Sequence, residues 1–371
     1  MRLTGFRNYD ALSLDLAPAS VVATGPNGAG KTNLLEAISF LAPGRGLRRA
    51  RLSEINLRLA NSQGILPDTD SWAVAATIET MHGPIDISTG CLPPNEKRVV
   101  RISGAPAKSQ SALADYVSAV WLTPQMDRFF IDGPSGRRRF LDRLVFGFDA
   151  GHAGRVSAFE SAMRQRGKLL RDGAGDDVWL SVLESTMAER GVAIAAARLE
   201  MASRLNRACA LSRGLFPHAE LTIQGTLETW FDMYSALEVE DRLRRSLAKS
   251  RNANSDNNKA PVGPHRSELH VLHVEKGQPA NLCSTGEQKA LLIAIVLADA
   301  RLRAAERNAA PLLLLDEVAA HLDGDRREAL FEEIFKLGAQ VWLTGTDQSV
   351  FNTMQGKAQF LDVRDGQVNL Q

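Results

Sequence analysis

The segment from residue 25 to residue 32 has the residue types and spacing of a phosphate-binding loop. It matches the pattern G-x-x-x-x-G-K-[ST] and consists of Gly25, Pro26, Asn27, Gly28, Ala29, Gly30, Lys31 and Thr32. In such a loop the glycines let successive backbone N–H groups point at phosphate oxygens, at the positive end of a helix. The pattern predicts that Lys31 reaches the β- and γ-phosphates of ATP and that Thr32 is a ligand of Mg²⁺. A glycine turn without a ligand is the alternative.

A pair of acidic residues follows a short apolar run near the other end of the chain. Residues 312–315 are four leucines, and Asp316 and Glu317 come directly after them. The run is typical of a buried parallel strand, and α/β sheets bind ligands at the carboxyl ends of such strands. We therefore expect Asp316 to hold the Mg²⁺ shell through water and Glu317 to polarise the attacking water as general base. Taken alone, this motif is equally consistent with an acidic helix cap.

Ser284, Thr285, Gly286 and Glu287 form a third motif, shortly before the acidic pair. Their plain interpretation is a capping box, with Ser284 as N-cap and Glu287 three positions later, at the start of a helix over 288–300. A helix N-terminus with a free hydroxyl and a glycine can also contact a γ-phosphate across a dimer interface. The order of the three motifs favours this second role, because it is typical of ATPases that close in pairs around nucleotide. Ser284, Gly286 and Glu287 would then contribute to the nucleotide site.

Two further residues are expected at the nucleotide. Gln125 follows a short apolar run, where a glutamine can touch Mg²⁺ or water and transmit the nucleotide state; a solvated loop glutamine is the alternative. Asp323 ends the segment 319–323, which follows the acidic pair and is predicted to be an interface loop that reaches the nucleotide. His321, in the same segment, is expected to pack rather than to take part in catalysis.

Basic residues are concentrated in three clusters, and two of them supply the candidates for DNA contact. These candidates are Arg45, Arg48, Arg49, Arg137, Arg138 and Arg139. The third cluster lies over 242–251. Clustered cations neutralise DNA phosphates, although a solvated charged face is the ordinary alternative. Aromatic residues do not alternate with these cations, so base stacking along a single strand is not predicted.

The composition narrows the class of protein. A chain of 371 residues that is 44% hydrophobic can bury one large core or two smaller ones. Its formal net charge of +1 means that DNA contact has to come from local patches rather than from the field of the whole protein. The three cysteines lack metal-binding spacing, which suits a reducing compartment. The longest apolar stretch, 290–298, is too short for a membrane crossing, and no signal peptide is recognised, so a cytoplasmic protein without a membrane partner is expected.

The elements that would position these residues follow from hydrophobic periodicity. Residues 20–24 indicate a buried strand that leads into the phosphate loop, and helical spacing follows it. Short strands with Pro and Gly turns between 50 and 110 predict an antiparallel β patch. Beyond residue 140 a period near 3.6 predicts two antiparallel helices joined at 173–177, the second about 30 residues long. The Asn-rich stretch 250–261 predicts a mobile loop. The ATPase is therefore expected to be discontinuous.

Several segments together resemble the RecF family of bacterial replication and recombination-repair ATPases over nearly the full chain. They are residues 6–9, 25–38, 44–46, 124–127, 134–142 and 262–266, with the Ser284 and Asp316 motifs. The stretch from Ser135 to Asp142 and the Gly-Pro-His-Arg element at 263–266 distinguish this family from transporter ATPases.

The resemblance implies an α/β fold: an ABC/SMC-type P-loop ATPase head with an antiparallel β patch and an inserted α-helical lobe. The ATPase lobe would comprise residues 1–123 and 255–371, and the helical lobe residues 124–254. Such a protein would bind ATP and Mg²⁺, form an ATP-dependent homodimer and bind DNA as a single strand or a gapped duplex. It would act with RecR to help load recombinase, and hydrolysis of ATP to ADP and phosphate would release the clamp.

The chain departs from the wider ATPase pattern at two positions. Cys283 stands where transporter-type heads have leucine. Thr346 follows the apolar run 341–344, where a switch histidine often stands. Because a threonine cannot accept and donate protons as an imidazole does, slow turnover is expected. His265 and Arg266 match the family, but the sequence assigns them no role.

Two other classes of function compete with this reading. A transporter-type ATPase subunit would couple to a membrane partner, and the helical insertion, the arginines and the lack of an apolar coupling groove oppose it. A nuclease would need a metal-ligand cluster beyond Asp316 and Glu317, and the sequence offers none.

Overall fold

The structure, a computed structural model, describes residues 1–57, 71–92, 97–172, 176–212, 214–251, 260–319 and 322–371. The strands in these ranges are β1 (Arg2–Phe6), β2 (Tyr9–Ser13), β3 (Ser20–Thr24), β4 (Trp72–Thr80), β5 (Gly83–Cys91), β6 (Arg98–Ile102), β7 (Ala105–Pro106), β8 (Ala119–Leu122), β9 (Ala219–Gln224), β10 (Glu268–His273), β11 (Gln278–Pro279), β12 (Leu312–Leu315), β13 (Val341–Gly345), β14 (Ala358–Arg364) and β15 (Gln367–Leu370). The helices are α1 (Lys31–Ser39), α2 (Pro134–Phe146), α3 (His152–Asp172), α4 (Asp177–Ala210), α5 (Thr226–Phe231), α6 (Ala236–Lys249), α7 (Thr285–Arg307) and α8 (Gly324–Leu337).

A mixed sheet forms the centre of the first compact unit, which comprises Met1–Met126 and Ala300–Gln371. Its strand order is β15-β14-β3-β13-β12-β8, and all neighbours are parallel except the edge strand β15. Every residue of β3 and β13 is buried, as expected for parallel strands covered on both faces. The parallel register places the carboxyl ends of β3, β13, β12 and β8 at one edge of the sheet. The phosphate loop starts at that edge, and Asp316 lies there too.

An antiparallel sheet in the same unit confirms the predicted β patch and extends it. Its order is β2-β1-β4-β5-β6-β7, so two strands from the start of the chain join the patch. Phe6, Phe40 and Trp72 pack against one another, with ring centroids 5.1–6.1 Å apart. This aromatic cluster belongs to the same buried core as Leu34 and Leu35 of α1. The patch therefore anchors the helix that follows the phosphate loop.

The second compact unit, Asp127–Asp299, contains the predicted helical pair. Helix α4 is 34 residues long, and α3 is 21 residues long. Phe159 of α3, Met187 of α4 and Leu243 of α6 are almost completely buried in one apolar core. The period near 3.6 thus predicted both helices correctly. Residues 173–175 of the predicted turn and 252–259 of the predicted mobile loop lie outside the described residues.

The compact units break after Met126 and after Asp299. The predicted lobes, 1–123, 124–254 and 255–371, remain a prediction, but the structure gives a physical reason for a later second break. Strand β10 pairs with β9 from Glu268 to His273, and β11 pairs with β10, so this three-stranded sheet belongs to the second unit. In the described part of the chain, no helix is long and apolar enough to cross a membrane.

Candidate nucleotide site

The phosphate loop connects β3 to α1, and its backbone needs glycine at two positions. Gly25 has φ +152°, and a Cβ there would overlap the carbonyl oxygen of Val363 on β14. Gly30 has φ +118°, and a Cβ there would lie 2.5 Å from Asn8 Nδ2. Left-handed backbone and close approach together exclude other residues at these positions. The fold therefore explains the glycines before any ligand is considered.

Asn8, in the turn between β1 and β2, and Tyr9, the first residue of β2, hold the loop from the side, and no sequence motif assigned them a role. Asn8 Nδ2 donates to the carbonyl oxygen of Ala29 at 3.1 Å, and the Tyr9 hydroxyl donates to that of Gly30 at 3.0 Å. Asn33 of α1 donates to Asn8 Oδ1 at 2.7 Å. Tyr9 is fully buried, and burial raises the pKa of its hydroxyl. These bonds fix the end of the loop against α1.

Lys31 lies within the loop that it was predicted to serve. Its ammonium donates to the carbonyl oxygens of Gly25 at 2.7 Å and Pro26 at 2.9 Å. Burial lowers the pKa of Lys31, while the charges of Glu317 and Asp316 raise it by a smaller amount. A partly desolvated cation inside a phosphate loop is suited to bind the triphosphate anion.

The structure brings Thr32 and Asp316 together, as the motifs predicted. The Thr32 hydroxyl lies 3.0 Å from both carboxylate oxygens of Asp316. Thr344, at the end of β13, donates to Asp316 Oδ1 at 2.7 Å. No sequence motif indicated Thr344, although its position near the end of an apolar strand becomes a usable signal once the strand order is known. Asp316 is thus oriented from both sides.

Glu317 has a strained backbone directly after β12. Its φ of +53° lies in the left-handed region, which costs a non-glycine residue about 1–2 kcal/mol. Its backbone N–H donates to the Thr344 hydroxyl at 2.9 Å, so the same threonine holds the Glu317 backbone and the Asp316 carboxylate. Such strain is concentrated at functional sites, where the surrounding structure enforces it. The conformation supports the predicted role of Glu317.

The oxygen atoms of Thr32 and Asp316 fit Mg²⁺, which prefers a few carboxylate and hydroxyl ligands and takes the rest from phosphate and water. Within the described ranges no group of three or more His, Cys, Asp and Glu residues could hold a metal ion. A protein cage for a resident metal is therefore not offered by these residues, whereas two protein oxygens beside a phosphate loop suit a cation that arrives with nucleotide.

Gln125 and Asp323 lie in elements that leave their predicted roles open. Gln125 is exposed in a short 3₁₀ turn, Pro124–Met126, that begins just after β8 at the same sheet edge as Asp316. Asp323 is the N-cap of α8, and its carboxylate accepts the Arg326 N–H at 2.8 Å. Its contact with nucleotide stays a prediction. His321 lies outside the described residues.

The third motif adopts the predicted capping box at the start of α7. The Ser284 N–H and hydroxyl both donate to Glu287 Oε2 at 2.9 Å, and the Glu287 N–H donates to the Ser284 hydroxyl at 3.4 Å. Lys276 donates to the other oxygen of Glu287. This bond, followed by those from Ser284, lowers the pKa of Glu287 to about 2. Ser284, Thr285 and Gly286 are exposed, so the cap leaves this end of the helix accessible.

The candidate DNA-contacting arginines separate into two groups. Arg48, Arg137 and Arg138 hold the fold together. Arg48 bonds to Asn33 and the buried Glu36, Arg137 bonds to Glu268 at 2.6 Å, and Arg138 donates to the Ser267 carbonyl oxygen at 3.0 Å. The remaining candidates, Arg45, Arg49 and Arg139, are exposed.

The two stretches that distinguish the family meet in one buried network of the second unit. Arg198 of α4 forms a bidentate pair with Asp142 at 2.8 and 2.9 Å and donates to the Pro264 carbonyl oxygen at 2.6 Å. His152 bonds to the same carboxylate at 2.8 Å. His265 and Arg266 both donate to the carbonyl oxygen of Ala260. The structure therefore gives the Gly-Pro-His-Arg element a packing role that the sequence analysis lacked.

A phosphate loop lies at the carboxyl edge of a parallel sheet. The acidic pair, which follows a leucine-rich strand, lies at the same edge. A helical unit interrupts the chain between these two motifs. This combination defines a P-loop ATPase head of the ABC/SMC type. The family model described as RecF/RecN/SMC N terminal domain matches residues 1–369. An SMC head from Pyrococcus furiosus, solved with an extended coiled coil and the C-terminal domain of ScpA, has the same fold: TM-score 0.53 and 17% identity over 100% of this chain and 94% of that one.

More specific relatives narrow the class. The DNA replication and repair protein RecF of Mesorhizobium japonicum is 48% identical over 99% of this chain and 96% of that protein. A solved structure of the recombination mediator protein RecF-ATPrS of the RecFOR pathway has a TM-score of 0.83 and 22% identity, with 100% of this chain and 96% of that one covered. The chain belongs to the RecF family.

Proposed function

We propose that this protein is an ATP-dependent DNA-binding protein of recombinational repair and replication restart. Its RecF relatives are named DNA replication and repair proteins, and the solved RecF-ATPrS structure is named a recombination mediator. In the proposed cycle, ATP drives two copies together and the pair clamps DNA at gaps. With RecR, the clamp promotes recombinase loading, and hydrolysis of ATP releases it.

The observation that best supports this proposal is the oriented Thr32–Asp316–Thr344 triplet beside Lys31. Lys31 would hold the β- and γ-phosphates, and Thr32 with Asp316 would hold Mg²⁺. That ion would neutralise the charge that develops on the phosphates. Glu317 would accept a proton from the attacking water. Thr346, exposed after β13, supplies no base at the histidine position, which favours slow hydrolysis.

Pairing is proposed because each copy carries two parts of a nucleotide site in different compact units. The phosphate loop belongs to the first compact unit, and Ser284 belongs to the second. Ser284 and Gly286 are exposed at the start of a 23-residue helix, where backbone dipoles favour an anion. In a two-fold pair the same surface serves both copies, so each loop would receive the Ser284 end of its partner.

DNA contact is proposed at the exposed arginines. Arg45, Arg49 and Arg139 carry cationic groups at the surface. Arg48, Arg137 and Arg138 are only partly exposed, so they would act indirectly. Phosphate contacts of this kind give sequence-independent binding that weakens with salt. Such binding fits a protein that acts at gaps rather than at a fixed sequence.

The test is the mass of the assembly under different nucleotides. Light scattering of the parent protein with ATP or a non-hydrolysable analogue should give a dimer, and with ADP a monomer. Lys31→Arg and Ser284→Arg should both stay monomeric with ATP and lose stable binding to gapped DNA. Ser185→Arg, an identical change on the exposed side of α4, should pair like the parent. If Lys31→Arg and Ser284→Arg pair with ATP as well as the parent does, the proposed interface is wrong.

A further inference from the structure

Lys276 is a charged residue at the predicted nucleotide-pairing end of α7, and no motif in the sequence drew attention to it. It lies in the short 3₁₀ turn Val274–Lys276 between β10 and β11. Its ammonium donates to Glu287, whose other carboxylate oxygen accepts two hydrogen bonds from Ser284. One carboxylate therefore links Lys276 to the hydroxyl that is proposed to meet a γ-phosphate.

The carboxylate of Glu287 creates an electrostatic problem for that role. Glu287 Oε2 lies 2.9 Å from the Ser284 hydroxyl, so an incoming phosphate would approach an existing negative charge. Like charges at such separations repel, and the helix N-terminus would have to serve two anions at once. The cap that gives α7 its start thus opposes the ligand that the same end is proposed to bind. A cation bound to the other oxygen of Glu287 reduces this repulsion between the carboxylate and the phosphate.

The turn that carries Lys276 is held in place independently of Glu287. The Glu275 carboxylate accepts the His218 N–H at 3.0 Å and lies within 3.1 Å of ring nitrogens of His218 and His273. Gly277 ends the turn with φ +57°, a conformation suited to glycine. The backbone of Lys276 is therefore positioned before any contact with nucleotide. Its side chain remains about half exposed, so it is accessible to a second copy.

We propose that Lys276 is a positioning residue of the pairing site. Its ammonium neutralises Glu287, so that the exposed Ser284–Gly286 end of α7 accepts the γ-phosphate of ATP bound to a second copy of this chain. The inference rests on the proposed ATP-driven pairing and adds to it a residue and an electrostatic cause. It requires no contact between Lys276 and the phosphate itself.

The expected size of the effect follows from the exposure of the pair. Because the Lys276–Glu287 pair lies at the surface, its loss should change an equilibrium constant only modestly, by about threefold. A two-fold pair contains two such sites, so the effects multiply. Loss of Lys276 should therefore raise the dissociation constant of the ATP-bound dimer about tenfold.

The experiment is a double-mutant cycle in the full chain. Lys276→Ala should weaken ATP-driven pairing about tenfold, while Lys276→Arg should keep it. Glu287→Gln removes the negative charge but still accepts the Ser284 N–H, so adding it to Lys276→Ala should restore pairing to the level of Glu287→Gln alone. Lys168→Ala, on an exposed position of α3, is the matched control. Sedimentation with a non-hydrolysable ATP analogue measures the dimer, and a fluorescent analogue measures ATP binding by the single copy, which should not change.

Two results would overturn the inference. One is a Lys276→Ala protein that pairs as tightly as the parent. The other is a Lys276→Ala/Glu287→Gln protein that pairs no better than Lys276→Ala, because the defect would then not come from the charge of Glu287. A parent protein that fails to pair with ATP would instead refute the proposed function, so the two failures can be told apart.

Discussion

At the scale of single residues, the orientation of the acidic pair depends on a threonine from another strand. Thr344 donates to Asp316 and accepts from the backbone of Glu317, and it is 1% exposed. Because β12 and β13 are parallel neighbours with Leu315 opposite Leu343, the next residues, Asp316 and Thr344, lie side by side. A buried hydroxyl with both bonds satisfied fixes the two acids without adding charge. The geometry of the site is therefore shared between motif residues and a residue outside every motif.

His265 gives a prediction for the pH dependence of stability. Burial lowers its pKa from 6.5 to about 4, helped by the charges of Arg266, Arg138 and Arg198. The unfolded chain therefore takes up the proton first as pH falls, so stability is present above about pH 6.5 and is lost towards pH 4. We expect His265→Gln to show a smaller loss of unfolding free energy than the parent between pH 7 and pH 5. Urea unfolding at the two pH values measures this difference.

The matched control is the exposed His270 of β10. His270→Gln should follow the pH dependence of the parent, because the change leaves the His265 ring and its surroundings in place. Equal pH dependence in the parent and in His265→Gln would show that the buried ring does not couple folding to protonation.

At this scale the sequence predicted which residues carry the chemistry better than it predicted which residues contact them. Lys31, Thr32 and Asp316 were found because their motifs are local, and the structure brings the last two within 3.0 Å. Thr344 and Asn8 were missed because their roles depend on which strands are neighbours. Strand order is a property of the whole sheet, and no local pattern around Asn8 indicates that it will contact Ala29.

At the scale of elements, the helices could be predicted from periodicity, whereas the sheet of the second unit could not. Helix α4 repeats its apolar positions over 34 residues, which leaves little ambiguity. Strands β9 and β10 have six residues each, and they pair across a gap that contains α5 and α6. Such short segments carry a weak signal, and their long-range pairing carries none. The predicted second boundary at residue 254 was set without knowledge of this sheet.

The network of Asp142 predicts how strongly α2, α3 and α4 are joined. Burial raises the pKa of Asp142, and hydrogen bonds from His152 and Arg198 lower it by more. Arg198→Met should cost about 3–5 kcal/mol of unfolding free energy, because it leaves a largely buried carboxylate without its cation. Adding Asp142→Asn to this variant should recover a substantial part of the loss. Chemical denaturation of parent, single and double variants measures both effects.

Arg207 on the same helix provides the comparison. It is exposed, and its nearest pairing with Glu200 spans 3.9 Å, so Arg207→Met should cost less than about 1 kcal/mol. If Arg198→Met were as mild as Arg207→Met, the buried pair would not be what joins the three helices. The same conclusion would follow if the double variant were no more stable than Arg198→Met.

At the scale of the whole molecule, the order of the motifs along the chain predicted the architecture. The phosphate loop and the acidic pair come from opposite ends of the sequence but from one unit, and Ser284 comes from the other. This division makes sense if the loop of one copy uses Ser284 of another. A defect in the loop and a defect in Ser284 should then complement each other when they are carried by different copies.

Mixing Lys31→Ala with Ser284→Arg tests this complementation. Each variant alone has a defect in both sites of its pair, whereas a mixed pair has one site with both parts intact and one site with neither. Because neither variant should pair with itself, the pairs that form are mixed and have one working site of two, so ATP hydrolysis should recover to at most about half of the parent rate. Energy transfer between differently labelled copies should report the mixed pair itself. As a control, a chain carrying both substitutions is mixed with the parent; every mixed site then has one defect, and mixed pairs should add no hydrolysis. If the mixture of Lys31→Ala and Ser284→Arg recovers no hydrolysis, beside an active parent, the two copies do not share their nucleotide sites.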